Sequence, residues 1–314
     1  VIASSRLNLT QLATLRELVR RGTLAAAAEH LGYTPGAVSQ HISSLEQALG
    51  VPLVQRSGRQ LVLTDAGRIM ADYASRLLSL EAEAIAVTRS VEGGASGPLV
   101  VGTWGSTAVG LLAPIVERMA SEYPDVVVSS REVDVDEASG SVRHGDVDIA
   151  FGLDYADAPM RRQPGLSVVE LHHETFVVAL ASTSETSGRR RKVATAEELA
   201  ALSWILAPES SQFGRAVRAG FRRRGFEPRV LHEVTDTGAS LQLAASGLGA
   251  TVVTDLMRRL NPSLELATLE MADPLTRQIV LITRGGSRPR EPVRVFVEVA
   301  QDLVAEMLGP EARA

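Results

Sequence analysis

From Thr34 to Gly50, Val38, Ile42, Leu45 and Leu49 recur at three- and four-residue steps, which predicts a helix with one buried face. Thr34 suits the cap, Pro35 the first turn and Gly50 the left-handed stop. The opposite face carries Ser39, Gln40, Ser43, Ser44 and Gln47, short polar groups with almost no charge. Such a face suits base edges and phosphates in a DNA major groove. Taken alone it equally suits an ordinary surface helix. Upstream, the stripe Leu12, Leu15, Leu18 and Val19 predicts a helix over 8–21, with Asn8 and Gln11 spaced as a capping box and Gly22 ending it. Thr23 caps a short alanine-rich helix, Leu24 to Leu31, and Gly32 breaks it. A helix, a turn containing glycine and a second helix is the helix-turn-helix plan.

After Gly50 the apolar runs Leu53–Val54 and Leu61–Leu63 flank Arg56-Ser57-Gly58-Arg59, which reads as a β-hairpin with a basic tip. Arginines there suit phosphate or minor-groove contacts, and charged tips also serve solubility. Thr64 caps a long helix from Asp65 to about Val91. From Met70 its apolar positions are Tyr73, Leu77, Leu80, Ala84, Val87 and Val91, in alternating steps of three and four. That is a heptad seam and predicts a partner helix, hence a dimer; a core helix of the next domain is the alternative. Gly93 to Pro98 has the composition of a flexible linker.

From Leu99 the pattern alternates: strand Leu99–Trp104, helix Val109–Tyr123, strand Val126–Val133, helix Val135–His144, strand Asp148–Leu153. This βαβαβ order predicts a parallel sheet. Val168–Ala181 reads as one long extended run. Further strands are expected at Trp204–Leu206, Val230–Val234, Ala250–Asp255, Leu264–Leu269 and Gln278–Thr283. Helices are expected at Gln212–Arg224, at Ser240–Ser246 and from Pro292 to about Leu308.

Composition narrows the chemistry. The 314 residues are 45% hydrophobic and 22% charged, normal for a globular chain of two or three domains. No apolar run approaches a membrane span, and the N-terminal stretch lacks the apolar core of a signal peptide, so a cytoplasmic protein is expected. The absence of cysteine excludes disulfides, zinc–thiolate sites and a cysteine nucleophile. A net charge of −5 argues against bulk nucleic-acid binding through a basic tail. Gly-x-Ser-x-Gly, His-Glu-x-x-His, P-loop and Gly-x-Gly-x-x-Gly motifs are missing, which leaves an enzyme with an accessory DNA-binding domain little support. His172 and His173 alternate across a strand and do not form a metal pair. Gly188 to Lys192 reads as a solvated basic loop, and Arg222 to Arg224 as favourable charge at a helix end.

Residues 15–31, with their Ala-Ala-rich helix, then Thr-Pro-Gly-Ala-Val-Ser-Gln-His-Ile-Ser-Ser-Leu-Glu (34–46), Leu-Gly-Val-Pro-Leu-Val-Gln-Arg (49–56) and Leu-Thr-Asp-Ala-Gly (63–67) resemble the LysR-type transcriptional regulators. Thr23-Leu24 stands for the usual Ser-Phe, Val54 for the usual wing Phe, and Thr254 for the usual Pro. The resemblance covers roughly residues 8–308. It implies an α/β chain with an all-α winged helix-turn-helix domain (1–64), a linker helix for dimerisation (65–92), a hinge (93–98) and an effector domain (99–314). That domain would have two α/β lobes of the periplasmic-binding-protein type: lobe I about 99–166 and 270–314, lobe II about 167–269. The implied protein is a homodimer or homotetramer on double-stranded promoter DNA, without catalysis, cofactor or metal. A small effector, an anion among the candidates, would modulate DNA bending or, in an activator, contact with RNA polymerase. A ligand-independent regulator with a closed crevice is the alternative.

Carried over residue by residue, the resemblance turns Thr34, Pro35, Ala37, Ser39, Gln40 and Ser43 towards DNA, with Arg56 and Arg59 on the wing. Gln40 is the best base reader, because its amide bonds bidentately to adenine. The effector pocket is expected between the lobes. Thr103, Trp104, Ser106 and Thr107 lie between a strand and a helix, where hydroxyls and helix N–H groups suit a carboxylate, although capping of the next helix is the plainer role. Ser210, Ser211, Gln212 and Phe213 occupy a second such turn. Gly152, Asp154 and Thr237 are further candidates.

Overall fold

The computed structural model describes residues 7–57, 60–89, 94–182, 192–285 and 289–309. The chain forms two compact units, one of Val1–Gly93 with Arg143–Asp146, the other of Gly94–Val142 with Val147–Ala314.

In the first unit the apolar stripes become three helices around one core: α1 (Leu9–Arg21), α2 (Leu24–Leu31) and α3 (Pro35–Leu49). Each begins on the cap that its sequence announces. Asn8 Oδ1 accepts from the Thr10 and Gln11 N–H groups, Thr23 Oγ1 from Ala26 and Thr34 Oγ1 from Ala37. Gly50 stops α3 with φ of 73°, a left-handed conformation that only glycine adopts freely. Leu12, Leu15, Leu18, Val38, Ile42 and Leu45 are buried, whereas Val19 is exposed. The hairpin pairs β1 (Val54–Ser57) with β2 (Gln60–Leu63). Its tip, including Arg59, lies outside the described residues.

The helix α4 (Asp65–Arg89) follows at once. Its seam divides by exposure. Met70 and Leu77 are half-buried on the core of their own unit, while Tyr73 is 50% and Leu80 60% exposed. Ala84 is exposed too, and so are Ile69 and Ile85, which the heptad reading passed over. A period of 3.5 fitted to a 3.6-residue helix collects two neighbouring faces. Nothing is described of the Val87 side chain, and Val91 lies outside the described residues.

The second unit holds two sheets. The first runs in the order β4 (Val126–Glu132), β3 (Gly97–Thr103), β5 (Ile149–Tyr155), β13 (Thr276–Arg284), β6 (Leu166–Thr175). Only β4, β3 and β5 are parallel; β13 runs antiparallel to both its neighbours, so the sheet is mixed. The predicted first helix is a longer helical run: α5 (Gly105–Thr107), a π-turn over Ala108–Leu112, then α6 (Ala113–Glu122). A short 3₁₀ turn (Val135–Glu137) and α7 (Ala138–His144) join β4 to β5.

The extended run at 168–181 is two strands in two sheets. β6 completes the first sheet, and the chain leaves it at Phe176, not at the expected boundary of 166 and 167. The two strands abut with no glycine, proline or turn residue to mark the break. After β7 (Val177–Ala181) come β8 (Lys192–Ala194), α8 (Ala196–Ala200), β9 (Ser203–Leu206), α9 (Gln212–Arg223), β10 (Arg229–Glu233), α10 (Thr237–Ala245), β11 (Thr251–Val253), α11 (Asp255–Arg258) and β12 (Leu266–Met271). They build the second sheet, β11-β7-β12-β8, which a bridge between Trp204 and Ala250 extends to the pair β9 and β10. The predicted strand at 250–255 ends early because Thr254 caps α11, its Oγ1 accepting from the Met257 N–H. The chain re-enters the first sheet at β13, and α12 (Glu291–Leu308) covers it. The expected loop at Gly188 lies outside the described residues, apart from Lys192 at the start of β8. No described helix is long and apolar enough to cross a membrane.

Candidate functional site

Two surfaces concentrate the predicted residues. On α3, Ser39 and Gln40 are exposed, as are Thr34 and Pro35 at its N-terminus; Ala37 and Ser43 are half-buried. The C-terminal half of α3 is tied to the wing by a contact that the spacing alone did not reveal. Glu46 Oε1 accepts from the N–H groups of Leu53, at 2.7 Å, and Val54, at 3.1 Å. A charge-assisted pair of this kind fixes the wing, and the exposed Arg56 on it, relative to α3. The wing is tied in turn to α4. Thr64 Oγ1 donates to the Pro52 carbonyl and accepts from the Gly67 N–H, while the Thr64 N–H donates to the Leu53 carbonyl. α3, the hairpin and α4 thus share one hydrogen-bonded junction.

In the second unit a cavity of about 410 Å³ opens between the two sheets' lobes. Of the predicted residues, Trp104, Ser106, Ser211, Phe213 and Thr237 line it. Trp104 and Ser106 stand where β3 meets the helical run, and Ser106 is buried with its hydroxyl unpartnered among the described residues. Phe213 enters from α9 and stacks on both Tyr155 and Phe176, centroids 6.2 and 5.9 Å away. Ser211 is partly committed: its Oγ donates to the Pro208 carbonyl and accepts from the Gly214 N–H as the cap of α9.

The other candidates stand off the lining. Thr103 and Thr107 share a hydrogen bond of 2.9 Å and are buried, and Thr107 also caps the Trp104 turn. Gly152 is in the middle of β5, buried against Val280 and Ile282. Asp154 accepts from the Met160 N–H and pairs with Arg162. The Ser210 carbonyl accepts from Arg215. The Gln212 N–H donates to the Asp136 carboxylate, at 3.0 and 3.1 Å from its two oxygens, which closes the cleft at that point. The opposite end of α9 is held as well: Asp157 of the first lobe pairs with Arg223 and Arg224.

Sequence reasoning missed the most charged groups of the cavity. Arg277 reaches it from β13 and is 3% exposed. Its Nε donates to Glu174 Oε2 at 2.8 Å, its Nη2 is ion-paired with the same oxygen at 2.7 Å, and its guanidinium lies over the Phe176 ring. Burial works against the arginine's charge, but Glu174 outweighs it and the pKa stands above the ordinary value. Tyr155 lies beside Arg277, and burial raises its phenol to about 12 although the guanidinium pulls the other way. Its hydroxyl is buried without a hydrogen bond of good geometry. Tyr155 is the last residue of β5 and Arg277 the second of β13, just outside the strands expected at 148–153 and 278–283, and no strand–helix turn in the sequence points to them. Glu132, Asp134, Asp136 and Asp236 complete the lining as exposed carboxylates.

The family model described as "LysR substrate binding domain" matches residues 92–305, and that described as "Bacterial regulatory helix-turn-helix protein, lysR family" matches residues 9–68. The HTH-type transcriptional regulator TfdS of Cupriavidus pinatubonensis is 29% identical over 282 residues, spanning 89% of this chain and 93% of its own. The probable HTH-type transcriptional regulator LrrA of Synechococcus elongatus is 28% identical over 308 residues, or 98% and 99% of the two chains. Among solved structures, a full-length OxyR from Pseudomonas aeruginosa has a TM-score of 0.74 at 19% identity, covering 98% of this chain and 97% of its own. CbnR in complex with its target DNA has a TM-score of 0.63 at 24% identity, with 94% and 99% covered. At such identities the structural likeness speaks for the fold.

Proposed function

Since the chain belongs to the LysR family of bacterial helix-turn-helix regulators, we propose that α3 reads promoter DNA and that the cavity of the second unit takes the small molecule that controls it. The observation that carries the first half is the uncharged polar surface of α3, with Ser39 and Gln40 facing solvent and Arg56 held beside it through Glu46. Gln40 reads a base edge; Ser39 and Ser43 bond phosphates; Arg56 and Arg59 add charge at the backbone or minor groove. Gln40→Ala is expected to weaken specific operator binding by about 1–3 kcal/mol and leave non-specific binding alone. Fluorescence anisotropy on operator and scrambled duplexes measures both. An unchanged operator affinity removes Gln40 from the base contacts.

A cavity of about 410 Å³ favours a ligand-controlled regulator over a ligand-independent one with a filled crevice. Because α3 itself carries no lysine or arginine, affinity rests on several copies acting together. The exposed apolar residues of α4 supply the contact for a homodimer or homotetramer, with Tyr73, Leu80 and Ala84 at its centre. Leu80→Asp is expected to yield monomers in sedimentation velocity with unchanged circular dichroism. An intact oligomer would take this stripe out of the interface. The working location is the cytoplasm, on promoter DNA, with RNA polymerase as the further partner in an activator.

A further inference from the structure

The cavity's charges are sorted by depth. At the bottom, Tyr155, Arg277 and Ser106 are each under 6% exposed, and each brings a hydrogen-bond donor. The bonds that Arg277 makes to Glu174 and Thr254 use its Nε and Nη2, and the guanidinium also faces the Tyr155 hydroxyl. The buried Tyr155 hydroxyl leans on the Arg277 guanidinium without a hydrogen bond of good geometry, and its own hydrogen stays available to an incoming acceptor. At the mouth, Glu132, Asp134, Asp136 and Asp236 are all exposed carboxylates. Asp134, Asp136 and Asp236 accept from backbone N–H groups, which orients them; Asp136 also pairs with Arg215 at 3.7 Å, so Glu132, Asp134 and Asp236 carry most of the mouth's negative charge. Between the two ends the walls are apolar: Trp104, Phe213, Met257 and Leu260.

We infer that the effector is an amino-acid-type zwitterion with an apolar body, its carboxylate on the Tyr155, Arg277 and Ser106 donors and its ammonium group at the acidic mouth. This rests on the reading of the cavity as the effector site. A ligand with anionic groups at both ends would set one of them among Glu132, Asp134 and Asp236. A simple amine would leave the buried donors unmet. The volume, low in the range of about 300–1,000 Å³ common for ligand pockets, suits one small molecule of this kind.

Isothermal titration calorimetry of the full chain with the proteinogenic amino acids tests this, each set against its deaminated acid and its decarboxylated amine. For phenylalanine these are 3-phenylpropionate and phenethylamine. The expected result is an amino acid that binds about tenfold or more tightly than either of its matched halves. Glu132→Gln with Asp134→Asn, two exposed positions, should erase the preference over the acid while leaving the melting temperature unchanged. Tyr155→Phe should weaken the amino acid and spare the amine. A panel in which the acids or amines bind as well as their amino acids overturns the proposal, as does one in which no amino acid binds. Thr237→Trp, which fills the cavity, separates the two levels. If a bound acid or amine is lost in this variant, the cavity remains the effector site and only the zwitterion is wrong. If binding is unaffected, the cavity reading falls too.

Discussion

Arg277→Met is expected to destabilise the second unit by about 3–5 kcal/mol, because it strands the Glu174 carboxylate in the interior. Both partners of this pair are 3% exposed, and they meet at 2.7 Å. Methionine keeps much of the arginine's volume, so the loss reports the uncompensated charge more than a void. The double variant Arg277→Met with Glu174→Gln removes the stranded charge and should recover more than half of the loss. Urea denaturation, followed by a probe within the second unit such as Trp104 or Trp204 fluorescence, measures all three chains. A single variant within about 1 kcal/mol of the parent would mean that water reaches Glu174 and that the pair is no anchor. Arg277 also sits between the lobes, with Glu174 on β6, Thr254 before α11 and Phe176 at the crossover around it. Its removal therefore loosens the crossover itself.

Gly67→Ala should reverse the usual sign of a helical glycine. Alanine inside a helix is ordinarily better than glycine by about 1 kcal/mol. Here an added Cβ would stand 2.0 Å from the Leu53 carbonyl oxygen, a backbone atom that already accepts from the Thr64 N–H. Either α4 or the base of the wing must move. We expect a loss of about 3 kcal/mol, at the upper end for overpacking, together with weaker operator binding as the wing shifts. Gly36→Ala is the matched control: the nearest atom to its Cβ is Thr34 Oγ1 at 3.9 Å, so that variant should be neutral or slightly stabilising. Thermal unfolding of both chains decides. Equal behaviour of the two variants would mean that the junction between wing and linker helix yields easily.

The first unit was readable almost throughout because its signals are local. Caps at Asn8, Thr23 and Thr34, stops at Gly22, Gly32 and Gly50, and a 3.6-residue period lie within a few residues of what they determine. The junction through Glu46 was not readable, since a glutamate near a helix end looks like any solvated charge until the wing folds back onto it. In the second unit most elements were legible, though the short β8, α8 and α11 were missed, and the pairings were not legible. β6 and β7 form one unbroken extended pattern, and only the partner strands assign them to different sheets. The cavity followed the same rule. Residues in strand–helix turns could be nominated, and five of them do line it. Thr103 and Thr107 spend their hydroxyls on each other, while Tyr155 and Arg277 come from adjacent strand ends that only the pairing of β5 with β13 brings together.

The two clasps on α9 have a kinematic consequence. Asp136 holds the first residue of this helix and Asp157 its last turn, and both carboxylates belong to the opposite lobe. At 1.5 Å per residue the anchors stand about 18 Å apart. A rigid body pinned at two points keeps a single rotation, about the line that joins them. Lobe movements that preserve both clasps are therefore rolls about the axis of α9, which acts as an axle, and a plain gaping of the cleft has to break an anchor.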